Sequence, residues 1–236
     1  MNNIYEPEFV KKLFNQMSNS YERMNYITSF GFSIRWRKQF LDKLGKSDEN
    51  LNVIDLLSGL GENWTFLKNN FPNANFHALD FSEEMISQSY KKKQKIFEDN
   101  LDLRCEDMLN NNLKSNYYDI ISCAYGLKTF NNEQLEILAK EVNRILKPNG
   151  KFSFVEVSKP KSQFLFYFYR FYLGKIIPIL GKLFLGNPDN YKMLWIYTQN
   201  FGDSEKVKEI FERHNLKVNL DSYFGGCSTG ISGKKL

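Results

Sequence analysis

The chain has 236 residues, which is long enough for one domain with a sizeable hydrophobic core. Hydrophobic residues make up 42% of it, and this fraction excludes an intrinsically disordered protein. The formal net charge of +5 comes from lysines dispersed among acidic residues, so we do not expect a nucleic-acid-binding protein. The cysteines Cys105, Cys123 and Cys227 show no metal-ligand spacing, and we predict neither a metal site nor a disulfide.

The N-terminal segment MNNIYEPEFVKK lacks the apolar core of a signal peptide, and we expect a soluble, cytoplasmic protein. The most apolar stretch is 164–185, and it is interrupted by Arg170, Lys175, Pro178 and Lys182. Because a charge at the bilayer centre costs about 2.5–3.5 kcal/mol, we do not expect this stretch to span a membrane.

Strand and helix patterns alternate from about residue 50. The first fifty residues are predicted to be helical and to form a cap across the ligand-binding edge of a sheet. Short apolar runs rich in β-forming residues predict five strands, at 52–57, 75–79, 101–105, 118–124 and 151–157. Helical spacing of apolar residues predicts helices at 63–70, from Glu83 onward (with Ser82 as N-cap), at 132–146 and at 204–214. A closing hairpin is predicted from strands at 216–220 and 223–231.

This order predicts an α/β, Rossmann-like fold in which a mostly parallel sheet carries helices on both faces. Such sheets bind ligands beyond the carboxyl ends of their strands, where the glycine-rich and acidic features of this sequence fall. We predict a single domain over residues 1–236.

Residues 160–200 interrupt the alternation with an apolar, aromatic insertion. Two interpretations remain open: additional core, or a cover over a lipophilic acceptor with its basic residues directed toward anionic headgroups. We favour the cover because the stretch is too long and too aromatic for one element of this sheet. A peripheral membrane contact and a homodimer are both left open.

Three features at strand ends predict a nucleoside site. Gly59 and Gly61 allow a tight turn that brings backbone N–H groups against a ligand. Asp80 follows Gly59 by 21 residues, the spacing at which a carboxylate accepts ribose hydroxyls. Asp107 follows the third strand and can accept from an adenine amino group, with Met108 covering the ring. Taken singly, each has an alternative interpretation, a helix cap for Asp80 and a turn residue for Asp107, but the three features together favour a nucleoside site.

The residues after the glycines favour S-adenosylmethionine over a dinucleotide. Gly61 is followed by Glu62, Asn63 and Trp64, so the third glycine of a dinucleotide motif is missing. Glu62 would also repel a pyrophosphate, whereas an acid such as Asp55 suits the ammonium-bearing end of a sulfonium cofactor.

Several segments resemble the ubiquinone/menaquinone biosynthesis C-methyltransferases, over nearly the whole chain. Tyr21–Arg37 (YERMNYITSFGFSIRWR) resembles that family's Y-D-x-M-N, S-x-G and W-R signature, and Asp55–Gly61 (DLLSGLG) is similar to its D-L-A-C-G-T-G. Val142–Gly150 (VNRILKPNG) is similar to R-V-L-K-P-G-G, and Glu156–Pro160 (EVSKP) to E-F-S-x-P.

The resemblance implies a seven-stranded class I methyltransferase that methylates a ring carbon of a polyprenylated quinol or related phenol. It also implies a set of cofactor contacts: Gly59, Leu60, Asp80, Phe81, Asp107, Met108 and Ala124. To these we add Asp55 and Gly61, on the chemistry of the residues themselves. Lys128-Thr129 replaces the family's Arg-Asn. This change leaves open a small-molecule C-, O- or N-methyltransferase, and a non-methylating S-adenosylmethionine-binding protein is the second alternative.

Carbon methylation of a phenol requires loss of the hydroxyl proton, because the neutral ring is a poor nucleophile. We predict that Lys128 stabilises the phenolate and that Tyr21 or Tyr125 orients it or relays the proton. The alternatives are a solvated loop lysine for Lys128 and helix packing for Tyr21. His77 and His214 lie outside the inferred site and are not candidates.

Overall fold

Seven strands of the described residues form one sheet in this computed structural model, which describes residues 3–29, 31–98, 100–176, 179 and 188–236. The strands are β1 (Asn52–Leu56), β2 (Asn75–Asp80), β3 (Leu101–Cys105), β4 (Tyr118–Ala124), β5 (Leu146–Val157), β6 (Leu216–Tyr223) and β7 (Ser228–Lys235). Their order is β3-β2-β1-β4-β5-β7-β6. The pairs among β1 to β5 are parallel, and β7 runs antiparallel to both β5 and β6. The mostly parallel Rossmann-like sheet is confirmed.

The described helices are α1 (Pro7–Met17), α2 (Tyr21–Thr28), α3 (Phe32–Asp42), α4 (Trp64–Asn70), α5 (Glu83–Phe97), α6 (Asn132–Ile145), α7 (Gln163–Phe171), α8 (Pro188–Phe201) and α9 (Glu205–Glu212). A π-helical turn, Tyr172–Ile176, follows α7. Ser82 caps α5 as predicted, since its side chain accepts a hydrogen bond from the Met85 N–H. Asn131 and Gln134 form a capping box at the start of α6.

Apolar clusters lie on both faces of the sheet. On one face, side chains of α6 and α9 such as Leu138 and Phe211 pack with strand residues such as Phe154. On the other face, α3, α4 and α5 contribute residues such as Phe40 and Trp64. A third cluster joins α1 and α2 to α8, where Tyr197 is fully buried. The predicted helical character of the first fifty residues is therefore confirmed for the part that the structure describes.

Several strand boundaries differ from the sequence prediction, and Asp80, predicted to follow β2, is its last residue. β1 ends one residue early because Leu57 has a φ of +52°, outside the extended region. β5 begins at Leu146 rather than 151, and its pairing with β4 shifts register on either side of the Pro148–Gly150 segment. In the closing hairpin the first strand is longer than predicted and ends at Tyr223, whereas the second is shifted and runs from Ser228 to Lys235, after a 3-10 turn at 224–226.

The apolar stretch at 164–185 begins in α7 and the π-helical turn, where Arg170 and Lys175 are exposed. Pro178 and Lys182 lie outside the described residues. Among the residues described, no helix combines the length and the apolar character needed to cross a bilayer.

Candidate active site

A cleft of about 800 Å³ lies at the carboxyl ends of β1 to β4. Its walls contain five of the predicted cofactor residues: Gly59, Asp80, Phe81, Asp107 and Ala124. Because the strands are parallel, these residues lie at or just after strand ends that meet at one edge of the sheet, as the sequence predicted. We call this cleft the cofactor cavity.

The glycine bend and Asp80 hold each other in place. Gly59 has a φ of +54°, and its N–H donates a hydrogen bond of 2.8 Å to Asp80 Oδ2. Asp80 Oδ1 accepts a second backbone N–H, from Ser82, at 2.9 Å. Burial of this carboxyl group raises its pKa to about 6. Asp80 therefore lies in the cavity wall at a fixed position relative to the bend.

The turn after β3 directs neighbouring side chains in opposite directions. Asp107 lines the cofactor cavity, and its Oδ1 accepts the Leu109 N–H at 2.9 Å. Met108, which we expected to cover an adenine ring, is instead buried in the core on the α6 side of the sheet. Leu109 occupies the wall in its place.

Three further predicted cofactor residues lie behind the cavity wall. Leu60 packs among the N-terminal helices. Gly61, with a φ of +74°, backs onto Trp64, and a Cβ at this position would lie 2.3 Å from the indole ring. Asp55 is buried beneath the cavity, where its Oδ1 accepts hydrogen bonds from Ser122 Oγ at 2.6 Å and Asn63 Nδ2 at 2.9 Å.

Two charged residues in the cavity wall were not predicted. Arg37 reaches it from α3, and Glu62 follows the glycine bend. The Arg37 guanidinium donates to Asn63 Oδ1 at 2.8 Å and lies 4.7 Å from the ring centroid of Tyr125. The available signal was the W-R motif that contains Arg37, while Glu62 was considered only as a group that repels a pyrophosphate.

The charged groups in the wall of the cofactor cavity fit a cationic nucleoside. Among the described residues of the wall, the charged groups are three carboxylates, from Glu62, Asp80 and Asp107, and one guanidinium, from Arg37. A pyrophosphate would meet net repulsion from such a wall, whereas a sulfonium cofactor with an ammonium group is attracted to it.

A second cleft, of about 1320 Å³, adjoins the first, and we call it the acceptor cavity. Tyr21 and Tyr125 line both cavities. The remaining wall is largely aromatic and aliphatic and includes Phe32, Trp36, Leu165, Phe168, Tyr169, Tyr172, Leu194, Trp195 and Phe224. These residues come from α3, α7, the π-helical turn, α8 and the turn before β7, so the cavity assembles from distant parts of the sequence.

Lys128 is a buried residue of the acceptor cavity wall, which rules out the solvated loop lysine. Its ammonium group donates to Glu156 Oε1 at 2.8 Å and to the Tyr125 carbonyl oxygen at 2.8 Å. Glu156 is fully buried and also accepts the backbone N–H groups of Lys128 and Val157. The lysine is thus held at the cavity by a carboxylate that is itself fixed by backbone donors.

The two tyrosines between the cavities remain protonated, because burial raises both of their pKa values far above the ordinary range. Tyr125 has a φ of +64°, and its hydroxyl donates to the Ser33 carbonyl oxygen at 3.2 Å. Tyr21 contacts Phe14 edge to face at a centroid distance of 5.8 Å.

The two histidines lie away from both cavities. His77 pairs with Asp102, and His214 pairs with Glu136. Neither lines the cofactor cavity or the acceptor cavity.

The fold and the site define an S-adenosylmethionine-dependent methyltransferase of the Rossmann-like class. A methyltransferase from Aquifex aeolicus shares the fold with a TM-score of 0.58 at 18% identity, over 85% of this chain and 89% of that one. A geranyl diphosphate C-methyltransferase from Streptomyces coelicolor A3(2) has a TM-score of 0.62 at 10% identity, over 86% and 79% of the two chains.

Sequence comparison identifies the family within this class. The model of the ubiE/COQ5 methyltransferase family matches residues 1–235, and the chain belongs to that family. It is also similar to a demethylmenaquinone methyltransferase of Staphylococcus aureus (strain JH9), with 29% identity over 231 residues that cover 97% of this chain and 93% of the relative. The resemblance inferred from the motifs is confirmed.

Proposed function

We propose that this methyltransferase methylates a ring carbon of a lipophilic phenol or quinol. The observation that carries the proposal is the acceptor cavity, whose walls are largely aromatic and which shares Tyr21 and Tyr125 with the cofactor cavity. An apolar acceptor gains free energy from transfer out of water into such a cavity. The demethylmenaquinone methyltransferase among its relatives supports a quinol as the acceptor.

The cofactor would be held by the strand-end residues of the cofactor cavity. In this proposal Asp80 accepts the ribose hydroxyls, Asp107 accepts from the adenine amino group, and Gly59, Phe81 and Ala124 form the wall around them. Leu60, Gly61, Met108 and Asp55 act from behind the wall by fixing the bend and the turn. The bound cofactor supplies an electrophilic methyl group on a sulfonium sulfur.

Lys128 is the residue that we propose to stabilise the phenolate form of the acceptor. An ammonium group has three donors, and two of them are used by Glu156 and by the Tyr125 carbonyl oxygen. The third has no acceptor among the described residues and is left for an acceptor oxygen in the cavity that Lys128 lines. A buried cation lowers the pKa of a phenol bound beside it, and this raises the nucleophilicity of the ring carbons.

Tyr21 and Tyr125 are proposed to orient the acceptor at the junction of the two cavities. Both are protonated, so each can donate a hydrogen bond but neither serves as the base at neutral pH. The Tyr125 hydroxyl is already engaged with Ser33, and we therefore assign its ring a positioning role. Holding donor and acceptor in a near-attack geometry contributes roughly 7–11 kcal/mol in favourable cases.

Residues 160–200 are proposed to cover the acceptor cavity and to contact a membrane, while residues 1–50 cap the cofactor cavity. Phe168 and Trp195 line the acceptor cavity. On the outside of α7, Phe164 and Tyr167 are 76% and 71% exposed. The sequence from 158 to 188 contains no acidic residue. An exposed aromatic helix with basic neighbours suits the interface of an anionic bilayer, from which a lipophilic acceptor would enter.

The test is product analysis with labelled S-adenosylmethionine and a matched pair of acceptors. One acceptor is a demethylated naphthoquinol with a prenyl chain, and the other is the same ring without the chain. We expect a product one methyl group heavier, with the methyl on a ring carbon and the prenylated acceptor favoured. A methyl group found on oxygen, or equal turnover of the two acceptors, would contradict the proposal.

A further inference from the structure

A buried ion pair lies in the wall of the cofactor cavity. Arg37 Nη2 and Glu62 Oε1 are 3.4 Å apart, and their side chains are only 7% and 10% exposed. Both residues line the cavity. Removing two charges from water costs several kcal/mol per ion unless other partners compensate, so the positions of their remaining partners matter.

Both residues of the pair have polar atoms that make no hydrogen bond to a described residue and are free to bind a charged ligand. A guanidinium has five N–H donors, and to described residues Arg37 hydrogen-bonds only through Nη1 to Asn63 and Nη2 to Glu62. The 3.4 Å contact is longer than the roughly 2.7–2.9 Å of a strong charge-assisted hydrogen bond. Glu62 Oε2 accepts no hydrogen bond from a described residue and lies 3.4 Å from the position of a Cβ on Gly59.

The location of the pair matches one end of the cofactor. Asp107 follows β3 and Asp80 is the last residue of β2, at one side of the cavity. Glu62 follows β1, and Arg37 lies against Tyr125, which follows β4 and forms the wall shared with the acceptor cavity. The cofactor is similarly divided: its nucleoside is neutral, and its amino-acid end carries an ammonium and a carboxylate.

We propose that Arg37 and Glu62 recognise the zwitterionic amino-acid end of S-adenosylmethionine, an inference that rests on the assignment of the cofactor cavity. Glu62 accepts from the α-ammonium group, and Arg37 donates to the α-carboxylate. Two opposite charges in the wall complement two opposite charges in the ligand, so that no buried charge is left uncompensated.

This assignment replaces Asp55 as the contact for the ammonium group. Asp55 does not line the cavity, and its Oδ1 is occupied by Ser122 and Asn63. Its role is indirect, because Asn63 links it to Arg37 through the 2.8 Å hydrogen bond. Asp55 and Asn63 are therefore positioning residues for the guanidinium.

The test compares two ligands that differ only in the amino-acid end. S-adenosylhomocysteine carries the nucleoside, the thioether sulfur and the zwitterion, whereas 5′-methylthioadenosine carries only the first two. Their dissociation constants are measured by calorimetry for wild-type protein, Glu62→Gln and Arg37→Met. The matched controls are Arg35→Met, an exposed arginine of the same helix, and Glu84→Gln, an exposed glutamate of α5.

We expect each of the two wall variants to weaken S-adenosylhomocysteine binding by about tenfold or more, since hydrogen bonds to charged groups are affected. The affinity for 5′-methylthioadenosine should stay at the wild-type value, which also shows that the cavity has folded. Equal weakening of both ligands, or no effect on either, would overturn the proposal. If Arg37→Met does not fold, Glu62→Gln decides alone, and wild-type protein that binds neither ligand would overturn the cofactor assignment itself.

Discussion

The cofactor cavity and the acceptor cavity share two tyrosines but are built from different parts of the molecule. In the cofactor cavity, strand ends and backbone N–H groups fix the key side chains, as in the hydrogen bond from Gly59 to Asp80. The acceptor cavity is formed by side chains of α3, α7 and α8, which cover the sheet without belonging to it. In our proposal the sheet sets the reaction class, whereas the choice of acceptor depends on side chains that can change while the sheet stays intact.

The sharpest test of the acceptor side is Lys128→Met. Loss of the only cation that we place beside the acceptor oxygen should lower kcat by about 10²–10³, while the dissociation constant of the cofactor stays unchanged. The double variant Lys128→Met/Glu156→Gln removes the carboxylate that would otherwise be buried without its partner.

Lys147→Met is the control for that variant, because Lys147 also pairs with a carboxylate, Asp119, at 2.7 Å, but at the surface. It should keep the wild-type kcat. Wild-type turnover by the double variant would remove Lys128 from the mechanism.

On the cofactor side, Gly61→Ala tests whether the bend is fixed by packing. A Cβ would lie 2.3 Å from Trp64 on a backbone with a φ of +74°. Gly202→Ala is a matched control, since its φ is +71° and, apart from its chain neighbours, no atom of the described residues lies within 4 Å of the added carbon. The free energy of unfolding in urea should fall by about 1–3 kcal/mol more for Gly61→Ala than for Gly202→Ala. Equal losses would mean that Trp64 can move aside.

The pH dependence of stability tests the buried carboxyl beneath the cofactor cavity. Burial raises the pKa of Asp55 from 3.8 to about 7, so the native state holds this proton to a higher pH than the unfolded chain does. The associated stability is fully present below the unfolded pKa and is lost as the pH rises through about 7. The pKa of Asp55 is lowered by hydrogen bonds from Ser122 and Asn63 and by the charge of Arg37. The charge of Glu62 raises it.

Asp55→Asn cannot lose a proton. Its free energy of unfolding relative to wild type should therefore rise by on the order of 2 kcal/mol between pH 5 and pH 8. Denaturation in urea at several pH values measures this difference. Parallel stability curves for the two proteins would show that Asp55 has an ordinary pKa.

The smallest expected effect concerns the outer face of α7. Tyr167→Ala with Phe171→Ala removes two exposed aromatic side chains and should weaken binding to anionic vesicles by a few fold, because less apolar surface is buried in the interface. Tyr90→Ala, at a tyrosine of α5 that is 53% exposed, is the control and should bind as wild type does. If wild-type protein does not bind the vesicles in a flotation assay, the proposed membrane contact is contradicted.

The sheet, and the placement of Gly59, Asp80 and Asp107 at its carboxyl edge, could be predicted from sequence because their pattern is local. Buried parallel strands appear as apolar runs, and Gly59, Asp80 and Asp107 follow those runs directly. The boundaries of β1 and β5 were missed, since the φ of Leu57 and the register shift at Pro148–Gly150 depend on neighbouring strands. Met108 was misplaced for a related reason: a turn decides which of two adjacent side chains faces the cavity.

The acceptor cavity could be predicted only as a tendency of residues 160–200 to be apolar. Which side chains meet depends on long-range packing, as in the contact between the Lys128 ammonium and Glu156 across 28 residues. The Arg37–Glu62 pair was not predicted from sequence for the same reason, because α3 and the glycine bend come together only in the folded chain.

The division of roles between the two cavities is tested most directly by measuring both KM values for one variant in each cavity, Asp80→Ala and Trp195→Ala. We predict that Asp80→Ala raises the KM for S-adenosylmethionine by about tenfold or more and leaves that for the acceptor unchanged. Trp195→Ala should raise only the KM for the acceptor. If both variants altered the same KM, or if Asp80→Ala left cofactor affinity untouched, the assignment of the two cavities would be wrong.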